Sequence, residues 1–379
     1  MSRALVISLS DLGRDPRVDR QIKFLRSAHE VTAAGLGPPL DPDVEFVDLR
    51  VMSQSVAREL ARQSWSLLRL IARGYESVYW RHPINVSALS SLAGHQADVV
   101  VANDLTALPL ACRVSGAAPV IFDAHELATE EHAERLWWRQ LMAPYADHLL
   151  RAYLPLTAGM MTVAPGIAQR YAEMYGVDPV VVTNAPWRSQ LQPQPVHDPI
   201  RLIHHGNADP QRRLELMIET ADLLGDGYEL SLMLAPSNPR YLSRLERMTA
   251  GRPRVRLLEP LPLERIVEGC NRHDVGIYLL PPDNENMQRA LPNKLFEFIQ
   301  ARLAIAVGPS PEMAAIVREH ACGVVADDFT PRALADVLAG VTREQIATFK
   351  AGANGAAQLL NAEQNQEIVL RLVSRALSG

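Results

Sequence analysis

The chain has 379 residues, 47% hydrophobic and 21% charged, the balance of a soluble globular protein of about two domains. A formal net charge of −5 and a pI near 6.1 exclude generic nucleic-acid binding through a basic surface. Three scattered cysteines, Cys112, Cys270 and Cys322, form neither a disulfide framework nor a metal-ligand spacing, and point to a reducing compartment. In chain order, the first strand is expected at residues 4–10 (ALVISLS), a run too short for a signal h-region. Further strands are predicted at 29–35, 45–49, 97–104, 118–126, 159–165 and 179–186, with helical patterns over 17–28, 53–80 and 131–157. This alternation predicts a parallel sheet covered by helices on both faces.

Residues 184–199 (NAPWRSQLQPQPVHDP) combine several prolines with no apolar periodicity and read as a linker. A second alternating series follows, with strands at 201–206, 228–236, 254–260, 274–282, 303–309 and 323–327 and a closing helix at 364–379. The expected fold class is α/β: two Rossmann-like, doubly wound parallel-sheet domains. The bounds are 1–186, a linker at 187–200, 201–360, and a helix over 361–379. Ligands of such sheets sit outside the carboxyl ends of the strands, so the cleft between two such domains is the expected site. No G-x-G-x-x-G follows a strand and no Walker loop is present, which argues against a dehydrogenase or P-loop NTPase. No apolar run is long enough to span a membrane as a helix.

The chemistry is concentrated in two segments. In ALPNKLFEFIQA (290–301), Pro292 suits the first helical position, and Leu295, Phe296 and Ile299 recur at helical spacing. Lys294 then falls in the first turn, where the helix dipole disfavours a cation unless an anion is bound. In HHGNADPQRRLE (204–215), Asp209 suits the N-cap and Pro210 the first position, which puts Arg212 and Arg213 in the same situation. A solvated surface cation explains either segment alone. Two helix starts of this kind at strand ends describe a diphosphate site. Glu297, three residues after Lys294, is either its i,i+3 salt-bridge partner or a carboxylate accepting hydrogen bonds from a ribose.

These segments, with DLGRDPRVDRQIKFL (11–25), VIFDAHEL (120–127), TVAPGIAQRY (162–171) and VVVTNAP (180–186), resemble the retaining GT-B glycosyltransferases of the GT4 type along nearly the whole chain. The resemblance implies an acceptor site in the first domain, a nucleotide-sugar site in the second and a final helix returning to the first. It implies that Arg212 and Lys294 neutralise the donor diphosphate, that Glu297 holds the ribose, and that His125 reaches toward the transferred sugar. Arg213 stands where the family often has Gly. Gly13, Gly206, Arg289, Asn293 and Leu295 fall at donor-binding positions of the pattern. Asp15, Arg17, Asp104 and Glu126 lie at strand ends and either contact the acceptor or cap helices; His125 is either a sugar contact or a packing residue. The first Glu of the family's E-x7-E motif is replaced by Arg289, and the strand ending in MLAP (233–236) lacks the family's glycine.

The function implied is transfer of a sugar from a nucleotide-diphosphate sugar, UDP- or GDP-linked, to a hydroxyl acceptor with retention and without a metal. No other cofactor is expected. The acceptor class is left open among a lipid-linked saccharide, a glycan and a small molecule. A nucleotide-sugar epimerase and a non-catalytic sugar-nucleotide-binding subunit are the alternatives. Residues 58–82 and 134–156 combine arginines, aromatics and aliphatics, the composition of interfacial helices as well as of core-facing stripes. The expected location is cytoplasmic, with peripheral contact at the inner face of the cell membrane as one reading.

Overall fold

The short apolar runs form two separate parallel sheets in the computed structural model, which describes residues 1–51 and 65–379. The first sheet has seven strands: β1 (Arg3–Ser8), β2 (Glu30–Gly35), β3 (Glu45–Asp48), β4 (Val99–Asn103), β5 (Val120–Ala124), β6 (Gly159–Thr162) and β7 (Val180–Val181). Their order is β3-β2-β1-β4-β5-β6-β7. The second has six: β8 (Ile200–Asn207), β9 (Tyr228–Ala235), β10 (Val255–Leu258), β11 (Val275–Tyr278), β12 (Ala304–Val307) and β13 (Gly323–Val325). These run in the order β10-β9-β8-β11-β12-β13. Each order reverses once, between β1 and β4 and between β8 and β11. Those reversals are the switch points at which open α/β sheets leave a crevice for ligands.

Continuous apolar composition, rather than alternation, marks strands covered on both faces. The central strands β4, β5, β11 and β12 are buried at every position. Unit 1 comprises Met1–Thr183, Asn284–Met287 and Asn365–Gly379; unit 2 comprises Asn184–Asp283 and Gln288–Gln364. The final helix, Ala362–Ser378, thus supplies most of its length to unit 1. There Leu372 packs on β6 so tightly that a Cβ on Gly159 would lie 2.9 Å from its Cδ1. Asn365 also anchors the helix, donating from Nδ2 to the Thr183 carbonyl at 2.8 Å.

The expected helix over 53–80 falls partly outside the described residues. Beyond them lie helical turns at 65–71 and helices Tyr75–Trp80 and Pro83–Ser91. The stretch 131–157 starts as turns and becomes regular helix only at Ala143–Tyr153, after a π-helical turn over Trp138–Met142. Its buried stripe is Ala146, Leu149 and Leu150, whereas Leu136 and Trp137 are exposed. Leu67, Leu68 and Ile71 are exposed as well.

Candidate active site

In unit 2 the expected donor residues gather at the β8/β11 switch point. Strand β8 carries His204 and His205 and ends at Gly206 and Asn207. Helix Asn293–Gln300 begins beside it, with Pro292 as N-cap rather than first helical residue, and Lys294 in the first turn. Gly206 has φ +132°, and a Cβ there would lie 2.6 Å from Lys294 Cε and 2.7 Å from Nζ. Only glycine tolerates both that backbone and that neighbour. Lys294 Nζ lies 5.7 Å from the centre of the Tyr278 ring, and Arg212 Nη1 donates to the Tyr278 hydroxyl at 3.4 Å. The two cations thus meet at one residue.

The electrostatics follow from that crowding. Burial, then repulsion from Arg212, lowers the Lys294 ammonium to about 8, against an opposing pull from Glu297. Burial and the charge of Lys294 lower His204 to about 3 and His205 well below its ordinary value, so both imidazoles are neutral. His204 Nδ1 lies 2.9 Å from the Ile277 carbonyl, where a neutral ring serves as donor. His205 Nε2 is 3.2 Å from Glu297 Oε2, yet the pair is not aligned as a hydrogen bond and the nitrogen is buried without one. Lys294 and Arg212 thus outnumber the one neighbouring carboxylate, Glu297, around a notch kept open by a glycine.

Several expectations need correction here. Arg212 and Arg213 are not in the first turn of an α-helix. Asp209 accepts from the Gln211 amide at 2.9 Å and caps a 3-10 turn, Pro210–Arg212. Arg213 then adopts φ +45°, ψ +47°, and the α-helix starts only at Glu215. The helix-dipole argument therefore applies to Lys294 alone. Arg213 is also taken up by Asp283, at 2.6 Å. Leu295 is 2% exposed and its side chain belongs to the core. Asn293 stands at the helix start, and Arg289 follows the short helix Glu285–Gln288, half-buried. His204, His205 and Tyr278 are the members that sequence reasoning missed; the paired histidines before Gly206 were the available signal.

In unit 1 a second polar group forms at the β1/β4 switch point. Ser8, Asn103 and Asp123 end or nearly end their strands in register, Ser8 opposite Asn103 and Asn103 opposite Asp123. Asp123 receives Arg17 through Nη2 at 2.6 Å and Nε at 2.9 Å, and Gln21 at 2.9 Å. His125 lies beyond β5, with Nε2 3.1 Å from Asn103 Oδ1 and Nδ1 3.1 Å from Asp104 Oδ2. Burial opposes its charge, but Asp104 and Asp123 prevail and raise it to about 10. Burial of Asp123 is likewise outweighed by Arg17 and His125, and it falls to about 2. Asp104 holds this position at φ +62°, with the His125 amide donating to its Oδ1 at 3.1 Å.

Arg17, considered above as an acceptor contact, is 7% exposed and turned inward onto Asp123 and the Val182 carbonyl. Asp15 caps helix Pro16–Arg26, accepting from the amides of Arg17 and Val18 at 3.2 Å. Gly13 sits in a 3-10 turn, where a Cβ would come 3.1 Å from the Pro38 carbonyl oxygen. Glu126 is exposed, yet partial burial and the charges of Glu131 and Asp104 push its carboxyl upward, while Asn286 donates to it at 2.9 Å. Asp104, His125 and Glu126 line a cavity of about 530 Å³ whose walls include Tyr79, Phe122 and Leu149. Among the described residues, no group of three or more His, Cys, Asp or Glu could hold a metal ion.

Two all-parallel, doubly wound sheets joined in this way make the GT-B fold of glycosyltransferases. Sucrose-phosphate synthase from Thermosynechococcus elongatus superposes with a TM-score of 0.74 at 12% identity, covering 99% of both chains. HepE from Anabaena in complex with UDP-glucose gives 0.73 at 11% identity, over 99% of this chain and all of that one. The E. coli structure titled trehalose-6-phosphate, bound with UDP-2-fluoro glucose, gives 0.67 at 11% identity, over 98% and 99%. No family model matches the chain, and no curated protein matches its sequence.

Proposed function

We propose that the protein is a glycosyltransferase that moves a sugar from a nucleotide-diphosphate sugar to an acceptor hydroxyl, with retention of anomeric configuration. The observation that carries this reading is the notch at Gly206, where Lys294 and Arg212 converge without enough carboxylate to balance them. Breaking a sugar–phosphate bond builds negative charge on the leaving diphosphate, and preorganised cations stabilise that charge most in the transition state. Glu297 accepts from the ribose hydroxyls, with a neutral His205 beside it. The complexes of structural neighbours with UDP-glucose and UDP-2-fluoro glucose favour a UDP-linked donor. On the acceptor side, His125 is held protonated by Asp104 and Asp123 and supplies a positive charge beside the transferred sugar, its two N–H groups being engaged by Asp104 and Asn103. It is no general base at neutral pH, because its proton leaves only near pH 10. Retention assigns removal of the acceptor proton to the leaving phosphate.

The test is a panel of UDP- and GDP-sugars assayed for release of nucleotide diphosphate with and without hydroxyl acceptors. Release that depends on acceptor, and falls on the order of 10²-fold in Arg212→Ala and Lys294→Ala, is the expected result. Epimerised donor without acceptor consumption identifies an epimerase instead, and binding without turnover a non-catalytic subunit. Activity is expected to survive EDTA.

A further inference from the structure

The unit 1 cavity has a chemical bias that narrows the acceptor. Its walls are aromatic and aliphatic, and the polar ends of three of the aromatics, Tyr79, Tyr171 and Trp138, are spent inside the protein. The Tyr79 hydroxyl donates to the Thr106 carbonyl at 2.6 Å, the Tyr171 hydroxyl to the Glu126 carbonyl at 3.1 Å, and Trp138 Nε1 to the Thr129 carbonyl at 3.2 Å. What these residues offer a ligand is ring surface. The other polar residues of the lining include Tyr145, Thr106, His82 and three that carry carboxyl groups. Asp104, Glu126 and Glu131 line the cavity, and the exposure of Glu126 and Glu131 puts them at its solvent side. Deeper in, Asn85 is 5% exposed and uses its Nδ2 on the Tyr79 carbonyl at 2.8 Å. Its Oδ1 is buried out of reach of solvent, so this residue adds no polar contact for a ligand. The cationic ring of His125 has both nitrogens engaged by Asp104 and Asn103.

Asp104 balances the imidazolium of His125, and an anion beside Glu126 and Glu131, whose carboxyls burial already pushes upward, adds further negative charge to an acidic rim. The volume is that of a small-molecule pocket rather than of an extended glycan groove. We propose that the acceptor is an uncharged amphiphile: a hydroxyl-rich head that meets the carboxyls of Glu126 and Glu131 at the solvent side, joined to a compact apolar group that fills the aromatic wall. Anionic acceptors, phosphorylated or carboxylated, are disfavoured beside Glu126 and Glu131 at the solvent side. This assignment rests on the glycosyltransferase reading for the word acceptor, whereas the ligand class rests on the cavity itself.

The experiment uses the full chain and matched probes: 4-nitrophenyl β-D-glucoside, n-octyl β-D-glucoside, methyl β-D-glucoside and 4-nitrophenyl β-D-glucuronide. Binding is read by ligand-observed NMR without donor, and transfer is read separately as nucleotide-diphosphate release. The nitrophenyl or octyl glucoside is expected to bind at least about tenfold tighter than the methyl glucoside or the glucuronide. Whichever of the two is tighter identifies an aryl or an alkyl apolar group. Ala146→Trp, which fills the cavity, is expected to abolish that preference. Glu131→Gln, at an exposed position that leaves folding intact, is expected to recover glucuronide binding several-fold. Equal binding of methyl and nitrophenyl glucosides, or a glucuronide preference in the unaltered protein, overturns the proposal. Selective binding without transfer to any probe upholds the ligand class and counts against glycosyl transfer.

Discussion

Lys294 is the residue on which the proposed donor site turns. Its ammonium sits near 8 because burial and Arg212 oppose its charge, and a bound diphosphate reverses that balance. Binding of UDP at pH 9 is therefore expected to take up close to one proton, and at pH 6.5 almost none. Calorimetry in buffers of different ionisation enthalpy measures the uptake directly. Affinity should fall as pH rises through about 8, since a neutral amine has to be recharged. Glu297→Ala is expected to weaken UDP binding by about 1.5–3 kcal/mol, the range for hydrogen bonds to a charged group; unchanged calorimetric affinity removes Glu297 from the site. Gly206→Ala adds a methyl group 2.6 Å from Lys294 Cε on a backbone that L-residues avoid. It should displace Lys294 and lower diphosphate affinity more than fold stability, a difference that parallel denaturation and binding curves resolve. Lys294, Gly206 and Glu297 could all be placed from the sequence, because proline and glycine punctuate the chain locally. His204 and Tyr278 could not, because their meeting depends on strand pairing between segments some seventy residues apart.

At the scale of elements, both sheets were legible from apolar runs, since strands covered on both faces must be apolar throughout. Helix starts were less so. The Asp209-Pro210 pair reads as an α-helix start. In the fold, Arg213 closes a 3-10 turn in a left-handed conformation that no local signal announces. Asp15 shows the opposite case: its capping role is local and could be weighed from DPRV alone. Asp15→Ala should cost about 1 kcal/mol of stability, while Asp15→Asn, which still accepts from the amides, should cost little. Urea denaturation checks both. If Asp15→Asn keeps stability but loses transfer activity, the residue contacts acceptor after all. The exposed side chains Leu67, Leu68 and Ile71 lie on a helical segment, 65–71, that also carries Arg69, with Arg73 in the turn after it. We expect co-sedimentation with anionic phosphatidylglycerol vesicles, reduced several-fold by Leu68→Glu, which adds a charge at a solvent-facing position. Equal sedimentation of both proteins assigns that surface to ordinary solvent exposure.

Across the molecule, the two units respond to pH in opposite directions. His125 in unit 1 is raised from about 6.5 to about 10, so its contribution is full below pH 6.5 and is lost as pH climbs toward 10. Asp123, depressed to about 2, contributes above its unfolded value near 3.8 and fails only in strong acid. His204 in unit 2 is depressed to about 3, so the unfolded chain binds protons that the folded one refuses, and unit 2 weakens as pH drops below 6.5. Scanning calorimetry between pH 5 and 9 should show the unit 1 transition moving down in alkali and the unit 2 transition moving down in acid. Tryptophan fluorescence assigns them, because Trp65, Trp80, Trp137 and Trp138 belong to unit 1 and Trp187 to unit 2. A single transition that is flat over this range contradicts the charge assignments.

The make-up of unit 1 bears on how the protein is made. A ribosome delivers its seven-stranded sheet early, yet the residues that pack on Gly159 and bond Thr183 arrive only after residues 184–283 and 288–364 have been translated. Unit 2, apart from the interruption at 284–287, is delivered nearly in one piece and can close first. The earlier sheet meanwhile waits with the surface destined for Leu372 uncovered. Nascent chains stalled before residue 365 should therefore present that surface to chaperones and proteases, and lose the exposure once the last helix clears the exit tunnel.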